Sequence, residues 1–373
     1  MIEARPEIGS TISIDKADFN TFLTNLQNQG FETIGPRIQQ DTLVNSHISN
    51  LEDLPFGIGS QQEPGHYHLI KSGKDNYFDF IPGAHSWKQY LFPSRVDLFH
   101  LELNNSDWML TKPETIQPKF AFIGVRACEL AAIQIQDGIF IRSDYSDPVY
   151  KSRRQNLFIL AVNCMHPNDT CFCSSLNSGP RVERGFDLCL TELDNIFLLE
   201  IGSELGRTAL THVPFSDASA FLLQTAQKGL DLASKQTRQL DTSDLPELLL
   251  HNLDHPHWDE IAERCFSCGN CTQVCPTCFC WDTVDTQDLL GQSTRRERVW
   301  DSCFNPGFSY LAGGNTRPTI RSRYRQWLSH KLGTWIEQQG MLGCTGCGRC
   351  ITWCPPGIDL TEEISVFRKE SYA

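Results

Sequence analysis

Two stretches of the chain share one cysteine spacing. The first is Cys265-x2-Cys268-x2-Cys271-x3-Cys275-Pro276, the second Cys344-x2-Cys347-x2-Cys350-x3-Cys354-Pro355. Thiolates are soft ligands suited to iron and sulfide. Three of them two residues apart can wrap one face of an iron–sulfur cubane, with backbone N–H groups aimed at its sulfurs. The fourth cysteine then begins the next segment and ligates the other cluster. The spacing therefore predicts two 4Fe-4S clusters with crossed ligands. Cluster one takes Cys265, Cys268, Cys271 and Cys354; cluster two takes Cys344, Cys347, Cys350 and Cys275. Such centres move electrons singly, and crossing the ligands brings them close. Zinc is the competing metal, but its sites use separated Cys pairs rather than a triplet followed by Cys-Pro.

A second set is less local. Cys128, Cys164, Cys171 and Cys173 follow short apolar runs at Lys119–Val125 and Leu157–Val162. If those runs are adjacent parallel strands, Cys128 and Cys164 sit at their carboxyl ends, where open α/β sheets place ligands. The expectation is a third iron–sulfur cluster; the plainer alternative is buried free thiols. A further trio, Cys278, Cys280 and Cys303, offers either packing around cluster two or another metal site whose fourth ligand the sequence does not name. Cys189 reads as a core residue. His66-x-His68 and His255-x-His257 sit beside Gly and Pro and read as loop residues. Arg317, Arg321, Arg323, Arg325 and Lys331 read as a solvated helix face or a docking surface for an acidic partner.

Positioning these groups requires two kinds of element. Apolar runs of strand length at 119–125, 157–162 and 196–201 alternate with helical patterns, which predicts an α/β N-terminal domain over residues 1–245. Phe19, Phe22, Leu23 and Leu26 fall at helical spacing before Gly30, and residues 218–234 read as another helix. Residues 51–93 read as loops and short strands, and Lys235–Asp244 as a polar linker. Eleven of the sixteen cysteines lie beyond residue 260. There Trp327, Leu328, Leu332, Trp335 and Ile336 form one apolar helical stripe, and Asp359 with Glu362 suggests a helix start. The second domain, 250–373, is thus expected to be a mainly α-helical dicluster ferredoxin domain.

Composition narrows the function class. A net charge of −13 disfavours nucleic-acid binding. Met1–Ser10 lacks the basic and apolar regions of a secretory leader, and no apolar stretch is long enough to span a bilayer. A cytoplasmic setting is expected, where clustered cysteines signal metals rather than disulfides. No G-x-G-x-x-G, P-loop or G-x-S-x-G is present, so the sequence shows no flavin, nicotinamide or nucleotide site of familiar form.

Several further motifs accompany the two cysteine runs: Gly124-Val125-Arg126-Ala127-Cys128-Glu129-Leu130, Asn163-Cys164, Cys171-Phe172-Cys173, Gly185-Phe186-Asp187-Leu188, His255-Pro256-His257-Trp258, Cys275-Pro276-Thr277-Cys278-Phe279-Cys280, Trp300-Asp301-Ser302-Cys303 and Ala312-Gly313-Gly314. The set resembles the iron–sulfur β subunits of cytoplasmic NiFe sulfhydrogenases and the A subunit of anaerobic sulfite reductase. Glu129 stands where that pattern has Asp, which keeps the charge. The resemblance implies an electron-transfer subunit between a flavin/NAD(P)-binding reductase subunit and a catalytic subunit, either hydrogenase or sulfite reductase. A self-sufficient flavin-dependent reductase is the alternative from another class.

Overall fold

The computed structural model describes residues 6–105, 107–114, 118–142 and 144–371. Met1–Arg5, part of the stretch read for a leader, lie outside the described residues. Fourteen strands build the two larger sheets and one separate hairpin. They are β1 (Thr11–Asp15), β2 (Glu32–Gln39), β3 (Thr42–His47), β4 (Ile58–Glu63), β5 (His66–Lys71), β6 (Arg95–Asn104) and β7 (Asp107–Thr111), then β8 (Phe120–Arg126), β9 (Phe158–Val162), β10 (Leu188–Glu192), β11 (Ile196–Ile201), β12 (Ser216–Asp217), β13 (Trp281–Gln287) and β14 (Ser293–Trp300). Eight form one mixed sheet in the order β12-β1-β11-β10-β9-β8-β2-β3. Its centre, β10-β9-β8-β2, is parallel, and the flanking pairs are antiparallel.

Every residue of β8 and β9 is buried, which is why both read as unbroken apolar runs rather than alternating ones. One face packs on the helix Phe19–Asn28 through Phe19, Phe22, Leu23 and Leu26, against Ile123 and Leu160. The other packs on the helices Ala127–Phe140 and Pro148–Gln155, against Phe122 and Ile159. At the carboxyl end of β8 the register with β9 shifts between Ile123 and Val125. Gly124 sits in that bulge at φ +97°, where a Cβ would press on the Phe78 ring at 3.1 Å. A bulge re-aims the residues after it, here Arg126 and the helix start that carries Cys128.

Beyond residue 245 the helices Leu245–His251, His257–Arg264, Ile320–Ser329 and Leu360–Ser371 enclose a separate core around Trp258, Tyr324, Trp327, Leu328 and Phe367. The apolar stripe continues from Ile320–Ser329 through a π-helical turn, His330–Thr334, into the short helix Trp335–Gln339. This region is not only helical. The hairpin β13–β14 leaves it and pairs with β6, giving a second sheet in the order β13-β14-β6-β7. β13 is exposed along its whole length, so it carries no buried-face pattern for a sequence reading to find.

Three expectations change. The 235–244 segment is a packed strap rather than a free linker. Gln236 and Leu240 are buried, the Gln236 side-chain amide donates to Cys173 Sγ at 3.1 Å, and Arg238 pairs with Asp359. The basic stretch is not one solvated face, because Arg323 and Lys331 are buried and Arg321 pairs with Asp259. His255 lies in a loop as expected, but His66 and His68 lie on β5, and His257 on a helix, buried between Glu260 and Glu363 at 2.7 Å each.

Candidate metal centres

The two Cys-Pro runs adopt the same local backbone. Ser267 and Gly346, each two residues after the first cysteine, have φ of +52° and +61°; Gly269 and Gly348 follow at +77° and +73°. These left-handed positions curl the chain, and the same bond results twice. The Ser267 N–H donates to Cys265 Sγ at 3.4 Å and the Gly346 N–H to Cys344 Sγ at 3.4 Å. This is the sulfur-facing amide arrangement the spacing called for.

The two runs lie within electrostatic reach of one another. Burial, then the charges of Cys265, Cys354, Cys268 and Cys275, drives the pKa of Cys271 well above the usual thiol value. Cys354 is likewise raised by burial and by Cys265 and Cys268. Burial, then Cys344, Cys347 and Cys275, does the same to Cys350. Cys354 is thus within reach of the first run, and Cys275 within reach of both.

The two groups differ in surroundings. Cys268 is exposed, and its neighbour Phe266 is 68% exposed. Around Cys275 the environment is closed and cationic. The buried Lys331 donates to Cys275 Sγ at 3.4 Å, Thr277 Oγ1 at 3.1 Å and the Gly343 carbonyl at 2.9 Å. Burial alone would strip its proton, but Cys275, Cys278, Cys344 and Cys350 hold Lys331 protonated, well above its ordinary value. In return, a hydrogen bond from Cys278, then Lys331, Thr277 and Lys88, keeps Cys275 well below the usual thiol range despite burial. Lys88, also buried, reaches the Cys278 carbonyl at 3.3 Å.

The second set meets at the sheet edge. β8 and β9 are adjacent and parallel, with Arg126 opposite Val162. Cys128 lies in the first turn of the helix after β8, and Cys164 just past β9. With Cys171 and Cys173 they line one cavity, shared with Arg126, Arg349 and, from the second run, Cys347. The Arg126 guanidinium is anchored on the Phe78 and Phe80 carbonyls at 2.6 and 2.9 Å. Arg349 pairs with Glu129 at 2.6 Å, and Glu129 also accepts the Trp87 indole N–H at 3.1 Å. The Phe172 N–H donates to the Gly346 carbonyl at 2.9 Å. A Cβ on Gly346 would stand 2.6 Å from Cys173 N, so the second run and the 171–173 loop are in direct backbone contact. Cys347 borders both its own set and this one, raising Cys128, Cys171 and Cys173 after burial has done so.

Cys278, Cys280 and Cys303 all line one cavity, with Lys331, Trp327 and Trp335. Cys189 is buried in β10. Among the described residues no three Cys, His, Asp or Glu side chains stand in the arrangement that grips a single ion. A cubane places each thiolate on a different iron, so its ligands need not meet at a point. Four cysteines per group, with protonated Lys or Arg beside the interior ones, fit an anionic cluster. Sequence reasoning missed Lys331, Lys88, Arg349 and Arg126 as partners of these thiols. Only Arg126 and Arg349 carried a signal, being two residues before Cys128 and one before Cys350.

No helix among the described residues is long and apolar enough to cross a membrane. Residues 264–358, which contain all eight cysteines of the two runs, match the family described as 4Fe-4S dicluster domain. The sulfhydrogenase 2 subunit beta of Pyrococcus furiosus is 34% identical over 255 residues, covering 67% of this chain and 75% of that protein. No solved structure matches the chain. With that identity over that share of the relative, and the dicluster region on both cysteine runs, the chain belongs to the family of sulfhydrogenase beta subunits.

Proposed function

We propose that this chain is the electron-relay subunit of a cytoplasmic hydrogenase-type complex, passing electrons between a flavin/NAD(P)-binding subunit and a catalytic NiFe subunit. The observations that support the reading are that Cys354 lies within electrostatic reach of Cys265, Cys268 and Cys271, and Cys275 within reach of Cys350. Cys265, Cys268, Cys271 and Cys354 would hold one 4Fe-4S cluster; Cys344, Cys347, Cys350 and Cys275 would hold the second. Cys128, Cys164, Cys171 and Cys173 would hold a third in the cavity beneath β8 and β9. When bound, such clusters supply one-electron redox chemistry.

The chain's own residues give the relay an order. Cys347 lies between the N-terminal cavity and the second set, and Cys275 lies within the electrostatic reach of Cys271 in the first. The sequence is third site, cluster two, cluster one, ending at exposed Cys268. Lys331, Lys88 and Arg349 favour added negative charge at the interior site, which raises its tendency to accept an electron. A boundary near residue 245 separates the α/β part from the mainly helical ferredoxin part, and the strap at 235–244 ties the two.

Iron and acid-labile sulfide on anaerobically purified chain, with EPR after reduction, test this. Two cubanes give ~8 Fe per chain and three give ~12. Cys128→Ala is expected to lower the count by ~4 and leave the dicluster signals in place. A wild-type count near ~8 that Cys128→Ala does not change would remove the third site.

A further inference from the structure

One cavity takes no part in the relay. It has a volume of ≈ 270 Å³ and lies where Thr277-Cys278-Phe279-Cys280 meets the helix Ile320–Ser329 and the π-helical turn after it. Phe279, Trp281, Phe308, Trp327 and Trp335 wall it. Pockets for drug-sized ligands run to about 300–1,000 Å³. This one sits just below that range, so it suits two or three fused rings rather than a whole dinucleotide.

Two polar groups on the wall are unspent. The Arg317 guanidinium and the Gln326 side-chain amide line the cavity, and neither has a hydrogen bond or ion pair among the described residues. Both residues are half-buried, and neither side chain is sealed from solvent as the Trp327 and Trp335 indole nitrogens are. The chain carries a net charge of −13, yet no carboxylate lines this cavity, while Arg317 and Lys331 do. Walls of one sign focus the field on a ligand of the other. A free guanidinium beside aromatic carbon calls for an anion attached to a ring. Lys331, on the same wall, donates to Cys275 Sγ at 3.4 Å. A ring in the cavity thus stands one side chain from a thiol assigned to cluster two.

We propose that the cavity binds a quinone carrying an anionic substituent, with its ring between the aromatic walls and its anion on Arg317 and Gln326. Reduction of such a ring takes up two electrons and two protons and turns both carbonyls into hydroxyls. The protons come from water at the mouth, where Trp281 is 46% exposed. The electrons come singly from the relay; that clause rests on the relay reading, and the binding does not. The cavity joins a path of one-electron centres to a two-electron carrier.

The test uses anthraquinone-2-sulfonate. Fused rings block the carbons beside its carbonyls, so the thiols of Cys278, Cys280 and Cys303 cannot add to it. Equilibrium dialysis against full chain, purified anaerobically, should show a single quinone bound. Arg317→Met should weaken binding about tenfold with iron and sulfide unchanged. Arg325→Met, outside the cavity, should bind as wild type does. Benzenesulfonate, the anion without the fused rings, should not displace the quinone at equal concentration. Chain reduced with dithionite and desalted should then lose cluster absorbance at a rate that saturates with quinone, and Arg317→Met should raise the half-saturating concentration about tenfold. No binding by wild type, equal binding by Arg317→Met, or displacement by benzenesulfonate overturns the proposal. Binding without saturable reoxidation in iron-loaded chain overturns the redox assignment. Chain that purifies without iron yet binds the quinone would defeat the relay reading and leave the binding site standing.

Discussion

The two cysteine runs share their spacing, their positive-φ positions and their first N–H to sulfur bond. They differ in everything outside the run. The first presents Cys268 and Phe266 to solvent. The second has Lys331 against Cys275, and Arg349 within its own sequence paired to Glu129 beneath the α/β sheet. Spacing decides that a cluster can be held. Burial and local charge decide how readily it takes an electron and whether another protein can reach it. The same cysteine pattern is thus open to solvent in one place and enclosed in the other.

The comparison can be pressed hardest by removing the metal. Oxidative loss of iron with a chelator should abolish cooperative unfolding of the C-terminal region, because metal binding is folding free energy where ligands come from separated segments. Retention of the native thermal transition in metal-free chain would show that the helical core stands alone. Next, Lys331→Met leaves buried thiolate charge uncompensated at the interior site only. A loss of about 3–5 kcal/mol in chemical denaturation is expected, partly restored by Lys331→Arg. In whatever folded fraction remains, the potential of one EPR-visible centre should fall and the other stay put. Smaller still, Gly346→Ala drives a Cβ into the Cys173 backbone at a positive-φ position, costing about 1–3 kcal/mol. The equivalent Ser267 already carries a side chain, so Ser267→Ala should be mild; equal costs at both would contradict the asymmetry. Smallest, Phe266→Ser should change stability by no more than about 0.5 kcal/mol. It should slow electron exchange with a protein partner while iron content holds, as stopped-flow absorbance would report.

Much of the fold and of the candidate site is legible in the residues. The eight run cysteines are a local pattern, and local spacing acts through backbone geometry that needs few distant contacts. The apolar runs of β8 and β9, the helix bearing Phe19, Phe22, Leu23 and Leu26, and the helix at Ala220–Ala233 carry equally direct signals. Cys128 and Cys164 can be given the strand ends but not the meeting, which depends on β8 and β9 being neighbours. Lys331 reads as part of a basic stretch because Arg317, Arg321, Arg323 and Arg325 precede it, yet it lies buried on the π-helical turn. The strap at 235–244 misleads for a similar reason: a polar segment packs when specific partners await it, as Cys173 awaits Gln236.

The sequence alone determined which atoms can bind iron, since ligand type and spacing are properties of a short stretch of chain. Tertiary structure decided which charges sit beside the thiols and which of the thiols are buried. Those depend on contacts between residues as far apart as Glu129 and Arg349, or His257 and Glu363. No periodicity encodes such pairs; they exist only once sheet register and helix packing have placed the partners within reach.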